Sequence, residues 1–238
     1  MIGPQIRAVL FDVSGTLLRL TPPAPILRAA LRRDGYAHPE ARVAFALRTE
    51  IAYYLAHHHE ADDDDEALGR LRLACATVLG SALGGHHPPI DRLARLLVES
   101  LRFELFADVR LALDGLAARG LRLGVVSNWD CGLADVLTDL GIARHFEAIV
   151  PSAAVGIPKP GPEVFEEALR RLGVDPRHAL HIGDRPEIDG VGATTAGISS
   201  TMIDRTGRGV TPRPGWITSL SELLVTSPGT VSSHGADR

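Results

Sequence analysis

Apolar and polar positions follow two rhythms along this chain. Five short apolar runs read as buried strands: "IRAVLFD" (6–12), "LRLGVVSN" (121–128), "FEAIVPS" (146–152), "HALHIGD" (178–184) and "SSTMID" (199–204). Most end in Asp, Ser or Asn. Between them, "LALDGLAARG", "GLADVLTDLG" and "GPEVFEEALRRLG" repeat apolar residues at helical spacing and stop at Gly, the expected C-cap. In the last, Pro162 followed by Glu163 makes a good helix start. Strands alternating with helices predict an α/β fold, a doubly wound parallel sheet with helices on both faces. Such sheets bind ligands beyond the carboxyl ends of their strands, so Asp12, Ser127, Asn128 and Asp184 are expected to share one edge.

Roughly 105 residues separate the first two of these strands, far more than a crossover needs. From Pro22 to Phe106 the rhythm is helical: Ile26, Leu27, Ala30 and Leu31, then Val43, Leu47, Ile51, Tyr54 and Leu55, then Leu93, Leu96, Leu97 and Leu101. This predicts a four- or five-helix insertion over residues 19–106, sitting above the strand edge, with residues 1–18 and 107–225 forming the core. The tail, 226–238, is polar and rich in Ser and Gly, and is expected to be disordered.

The remaining composition narrows the function. A net charge of −4 and pI near 6.2 argue against electrostatic capture of nucleic acid or an anionic membrane, and favour a small-molecule partner. Cys75 and Cys131 suggest neither a disulfide framework nor a metal motif; without a signal peptide or spanning segment, a cytoplasmic protein is expected. His57, His58 and His59 point different ways on a helix and are expected to be solvated, as are His86 and His87. The run "ADDDDE" (61–66) suits a helix N-terminus. Of 25 basic residues, only Lys159 is lysine. A compact ammonium fits between two oxygen anions where a planar guanidinium does not.

Taken together, "FDVSGTLL", "VVSN", "GIPKPGPEVF" and "HIGDRPEIDGVGATTAG" resemble the haloacid dehalogenase superfamily in identity, order and spacing. The resemblance covers nearly the whole chain. It implies a Rossmann-like core, and the helical insertion corresponds to that family's cap after the first strand, the C1 type of subfamily I. No P-loop occurs, and Thr195 breaks a dinucleotide fingerprint. The resemblance further implies that Asp12 is a nucleophile forming an aspartyl intermediate. Mg²⁺ would be held by Asp12, the backbone carbonyl of Ser14 and Asp184, with Asp189 behind them holding the metal waters. Ser127, with the helix starting near Asp130, would receive a phosphoryl oxygen. Asn128 could hydrogen-bond the substrate or the nucleophile, and Lys159 would neutralise nucleophile and phosphoryl oxygens.

One position departs from the family's phosphatases. Two residues after the nucleophile they carry a second Asp as general acid and base; here it is Ser14. Losing such a group costs about 10² to 10⁴ in rate. Three readings follow: a Mg²⁺-dependent phosphohydrolase whose leaving group needs little protonation or draws its acid from elsewhere, a dehalogenase-like hydrolysis at carbon, or a catalytically impaired binding protein. "GDRPEID" resembles the magnesium-holding fourth motif, which speaks against the second. The insertion has no lysine, which excludes Schiff-base chemistry from the cap. "RLGVVSNWD" resembles an animal branch of the family that also departs from the phosphatase pattern. Tyr53, Tyr54 and Phe45 are candidates to face the pocket, though ordinary core packing is the better explanation for them. Arg185 could touch an anionic substrate or form a surface ion pair.

Overall fold

A computed structural model of the chain describes residues 2–61, 65–206 and 214–225. Asp62, Asp63 and Asp64 of the acidic run and the 226–238 tail lie outside the described residues.

The chain opens with β1 (Ala8–Phe11) and β2 (Leu18–Thr21), passes through α1 (Pro23–Arg33), α2 (Glu40–His57), α3 (Asp65–Leu83) and α4 (Ile90–Ser100), and returns in β3 (Arg102–Leu105). It continues with α5 (Val109–Ala118), β4 (Arg122–Ser127), α6 (Leu133–Asp139), β5 (Ala148–Pro151), α7 (Glu163–Leu172), β6 (Ala179–Gly183), α8 (Val191–Thr195), β7 (Ser199–Ile203) and β8 (Trp216–Ile217). The six-stranded sheet has the order β5-β4-β1-β6-β7-β8, and all its pairings are parallel. After β1 the chain builds outward through β4 and β5, then crosses back to lay β6 on the other side of β1. The strand order reverses at β1, the place at which sheets of this kind bind ligands.

The period-two alternation of a strand divides its side chains between two layers. Val9 and Phe11 of β1 pack with Leu123, Val125, Leu113 and Leu137 on one face. Ala8 and Leu10 pack with Val126, Val164, Phe165 and Leu172 on the other. The helix α7 ends where its pattern predicts, with Gly173 at φ 59° in the left-handed cap conformation. A third apolar cluster is built mainly by α1–α4, with Leu27, Leu31, Val43, Leu79 and Leu93 fully buried in it. This is the helical cap, and among the described residues no helix is long and apolar enough to cross a membrane.

Two expectations change here. The helical rhythm read through to Phe106 stops at Ser100, and residues 102–105 pair antiparallel with 18–21 as a two-stranded ribbon. Each strand is four residues long, and Arg19 meets Glu104 across the ribbon at 2.8 Å. Partners more than eighty residues apart leave no local signature. The second change is His58, expected in solvent but only 1% exposed. The helix α2 gives way at residues 58–60 to a 3₁₀ turn that packs against the 152–154 turn after β5. His57, His59 and His87 are half-buried, and His86 is exposed.

Asp108, just before α5, gathers the chain's far end onto the core. It accepts from Arg205 Nη1 at 2.7 and 2.9 Å, Ser219 Oγ at 2.7 Å and the Leu220 N–H at 2.7 Å. Arg205 also donates to the Thr16 carbonyl and lies over the Phe106 ring. Burial opposes the Asp108 charge, but these donors outweigh it and hold the carboxyl below its ordinary value. A depressed carboxyl stabilises the fold above the ordinary aspartate range and loses that contribution as pH falls through its folded pKa. Asp108→Ala leaves Arg205 unpaired and is expected to cost about 3 kcal/mol, measured by urea unfolding at neutral pH, with the deficit shrinking at acid pH.

Candidate active site

The sheet edge at β1 collects charge because three neighbouring strands end there in polar residues. Asp12 follows β1, only 6% exposed, and its backbone N–H donates to the Ile182 carbonyl at 2.9 Å. Ser127 closes β4 next door and donates from Oγ to Asp12 Oδ1 at 3.1 Å. On the other side β6 runs into Asp184. The turn after Asp12 bends back at once, with the amides of Thr16, Leu17 and Leu18 donating to the Val13 carbonyl. Gly15 sits at φ 83°, and a β-carbon there would run into the Asp184 carboxylate. Glycine therefore lets this turn close over Asp184.

Lys159 binds the site together. Its ammonium donates to Asp12 Oδ1 at 2.6 Å, Asp189 Oδ1 at 2.6 Å and the Val126 carbonyl at 3.0 Å. An ammonium has three hydrogens, and all three have acceptors. Asn128 fixes the lysine's backbone from both sides: its Oδ1 accepts the Lys159 N–H at 2.7 Å, and its Nδ2 donates to the Lys159 carbonyl at 3.0 Å. The amide offered by sequence to substrate or nucleophile thus holds the lysine loop. Asp189 lies in a π-helical turn, Pro186–Gly190, where its Oδ2 accepts the Arg185 N–H at 3.1 Å.

The charges do not balance locally. Asp12, Asp184 and Asp189 each place a carboxylate oxygen within 4.8 Å of the others, with one ammonium among them. Burial would lower the Lys159 pKa, but Asp12 and Asp189 raise it. Burial also works against ionised Asp189, yet Lys159 and a hydrogen bond from His181 hold its carboxyl far below the usual range. Asp12 shares the same ammonium and accepts the Ser127 hydroxyl; burial still raises its carboxyl, with Lys159 opposing. For Asp184 the opposing charge of Lys159 is outweighed. Burial, then the charges of Asp12 and Asp189, push it up to about 7. Its Oδ1 is buried without a hydrogen-bond partner. An orphaned carboxylate oxygen beside two others is a donor set suited to a hard divalent cation.

Other sequence candidates fall into place around this centre. Ser14 is exposed on the turn. The helix expected near Asp130 starts only at Leu133, and Asp130 Oδ1 accepts the Gly132 N–H at 2.8 Å just before it. A carboxylate, and not an open anion site, meets that helix entrance. Of the three aromatic candidates, Phe45 is half-exposed and Tyr53 stacks on His57 at 4.0 Å. Tyr54 crosses to the core, donating to Asp130 Oδ2 at 2.9 Å. Arg185 pairs with Glu187 on the surface at 3.4 Å. Sequence reasoning missed His181, although a histidine inside an otherwise apolar strand was a readable signal.

The family model for haloacid dehalogenase-like hydrolases matches residues 6–197. A bovine protein (Bos taurus) named haloacid dehalogenase-like hydrolase domain-containing protein 3 is 36% identical over 235 residues, 92% of this chain and 93% of that one. The mouse protein of that name aligns over 57% of its length. A glyceraldehyde 3-phosphate phosphatase from Methanothermobacter thermautotrophicus is 29% identical, covering 84% of this chain and 86% of its own. Among solved structures, a 2-haloacid dehalogenase from Pseudomonas syringae superposes with a TM-score of 0.62 at 27% identity, covering 92% of this chain and 96% of that one. A family match over most of the sequence and a relative this similar along nine-tenths of it agree with the carboxylate cluster, and the chain belongs to the haloacid dehalogenase-like hydrolases.

Proposed function

We propose that this hydrolase is a Mg²⁺-dependent phosphohydrolase that works through an aspartyl phosphate at Asp12 and suits leaving groups that depart without a proton. The observation that carries this reading is the Lys159 ammonium held 2.6 Å from Asp12 Oδ1, beside the orphaned oxygen of Asp184. Asp12, Asp184 and the Ser14 carbonyl would hold the ion, with Asp189 behind them; when bound, it supplies positive charge to the phosphoryl oxygens. The phosphatase names among the relatives support the same chemistry.

In the first step an Asp12 oxygen bonds to phosphorus as the bond to the leaving oxygen breaks, and the electron pair departs with that oxygen. Lys159 and the Ser127 hydroxyl stand at the nucleophile, where they can neutralise equatorial charge as it forms. An aryl oxide or other weakly basic leaving group departs unaided, whereas an alkoxide needs a proton that the Ser14 hydroxyl cannot deliver near neutral pH. The second step returns the phosphoryl group to water and restores the Asp12 carboxylate. With serine at position 14 no carboxylate there activates that water, so the second step is the slow one.

Activated aryl phosphates are therefore expected to release one equivalent of aryl oxide in a fast burst, followed by slow turnover, in stopped-flow measurements with Mg²⁺. Asp12→Asn abolishes both phases, and chelation of the metal suppresses them. Halide release from 2-haloacids without metal, and no burst, would overturn the reading in favour of hydrolysis at carbon. Ser14→Asp restores an acid and base and is expected to raise steady-state turnover of alkyl phosphates by about 10² to 10⁴. An unchanged alkyl rate in a folded Ser14→Asp protein would show that the missing proton carrier is not what limits this enzyme.

A further inference from the structure

We propose that His181 is a positioning residue for Lys159, acting through Asp189, and that it sets how the single ammonium is divided between Asp189 and Asp12. The inference rests on the phosphohydrolase reading for its catalytic consequence and on geometry alone for the positioning.

His181 lies in the middle of β6, fully buried, opposite Leu10 of β1 and Ser200 of β7. The strand otherwise carries Ala179, Leu180, Ile182 and Gly183, and an aliphatic side chain would be the ordinary occupant. The imidazole packs edge-on against the Phe165 ring at 4.9 Å, and its Nε2 lies 3.1 Å from Asp189 Oδ1. A carboxylate oxygen offers only lone pairs, so Nε2 carries the hydrogen, and in the neutral ring that burial favours Nδ1 is bare. Nδ1 has no partner. A buried acceptor left without a hydrogen bond is unfavourable, and leucine would remove it. The residue that remains makes one polar contact, to Asp189.

That contact falls on the oxygen that also takes the Lys159 ammonium. Asp189 Oδ1 has two donors and Oδ2 has the Arg185 N–H, so the carboxylate is fixed in rotation and its charge is divided among three hydrogens. Lys159 is divided in turn among Asp12, Asp189 and Val126. Remove the imidazole donor and Asp189 Oδ1 is left with the ammonium as its one donor, the Arg185 N–H alone anchors the other oxygen, and the carboxylate draws the ammonium away from Asp12. In the proposed reaction that withdraws positive charge from the nucleophile and the transferring phosphoryl group. The turnover step then suffers more than substrate binding.

Lys159 is the only lysine in the chain, so protein labelled with ¹³C-lysine gives one side-chain signal from the full-length protein. His181→Gln keeps a donor near the place of Nε2, and His181→Leu keeps bulk without one. The expected result is a displaced Lys159 signal and kcat for an aryl phosphate lowered about 10- to 100-fold in the Leu variant, with smaller change in KM. The Gln variant stays near wild type in both. In an Asp189→Asn background, His181→Leu adds no further loss of kcat, because the residues act in series. If the Leu protein does not fold, His181→Asn, whose amide falls short of Asp189, takes its place with the same expected losses. Equal Lys159 signals in the donor-keeping and donor-lacking variants would overturn the inference, as would losses that add to those of Asp189→Asn. Wild-type protein that turns over no phosphate ester would sink the functional reading, and the lysine signal would still decide the positioning.

Discussion

A buried ammonium needs acceptors, and the loops at the sheet edge are arranged around that need. Lys159 is 4% exposed, and its three hydrogens reach groups from three parts of the chain. Removing an ion from water is expensive unless its charge is paired and each donor finds an acceptor. The loop before α7 must therefore approach β1, β4 and the π-helical turn at once. Asn128 fixes the lysine backbone to the end of β4. The parallel order β4-β1-β6 brings the acceptors within reach.

The same centre is deliberately out of balance. One ammonium faces three carboxylates, and the structure distributes its effect unevenly. Asp189, with His181 as a second donor, is stabilised as an anion, while Asp12 and Asp184 are left with raised pKa values. Uncompensated carboxylates would repel a dianionic phosphoryl group from this edge. In the proposed chemistry a divalent cation corrects the deficit, and Gly15 lets the turn carrying Ser14 close over Asp184 without a side chain in the way. The cap adds a direct tie to this edge, since Tyr54 of α2 bonds Asp130 on the loop that follows Ser127 and Asn128. In the proposed chemistry the surroundings of Asp12 and the serine at position 14 divide the reaction into a supported step and an unsupported one.

The sequence by itself determined the alternation of strands and helices, because burial of apolar side chains repeats with the period of each element and is visible within ten residues. It also placed polar residues at the ends of successive strands, and a single lysine among arginines carried its own geometric argument. What it could not carry were contacts whose partners are far apart along the chain. The β2–β3 ribbon joins residues 18–21 to 102–105, so its four-residue strands showed no period of their own. His58 changed from a solvent-facing to a buried residue because the helix breaks into a 3₁₀ turn against the core. Asn128 and His181 acquired their tasks only when the sheet brought Lys159 and Asp189 beside them. Local patterning records which side chains are buried; only the folded chain decides which buried polar groups meet, because a hydrogen bond depends on distances of a few tenths of an ångström between atoms that periodicity does not relate.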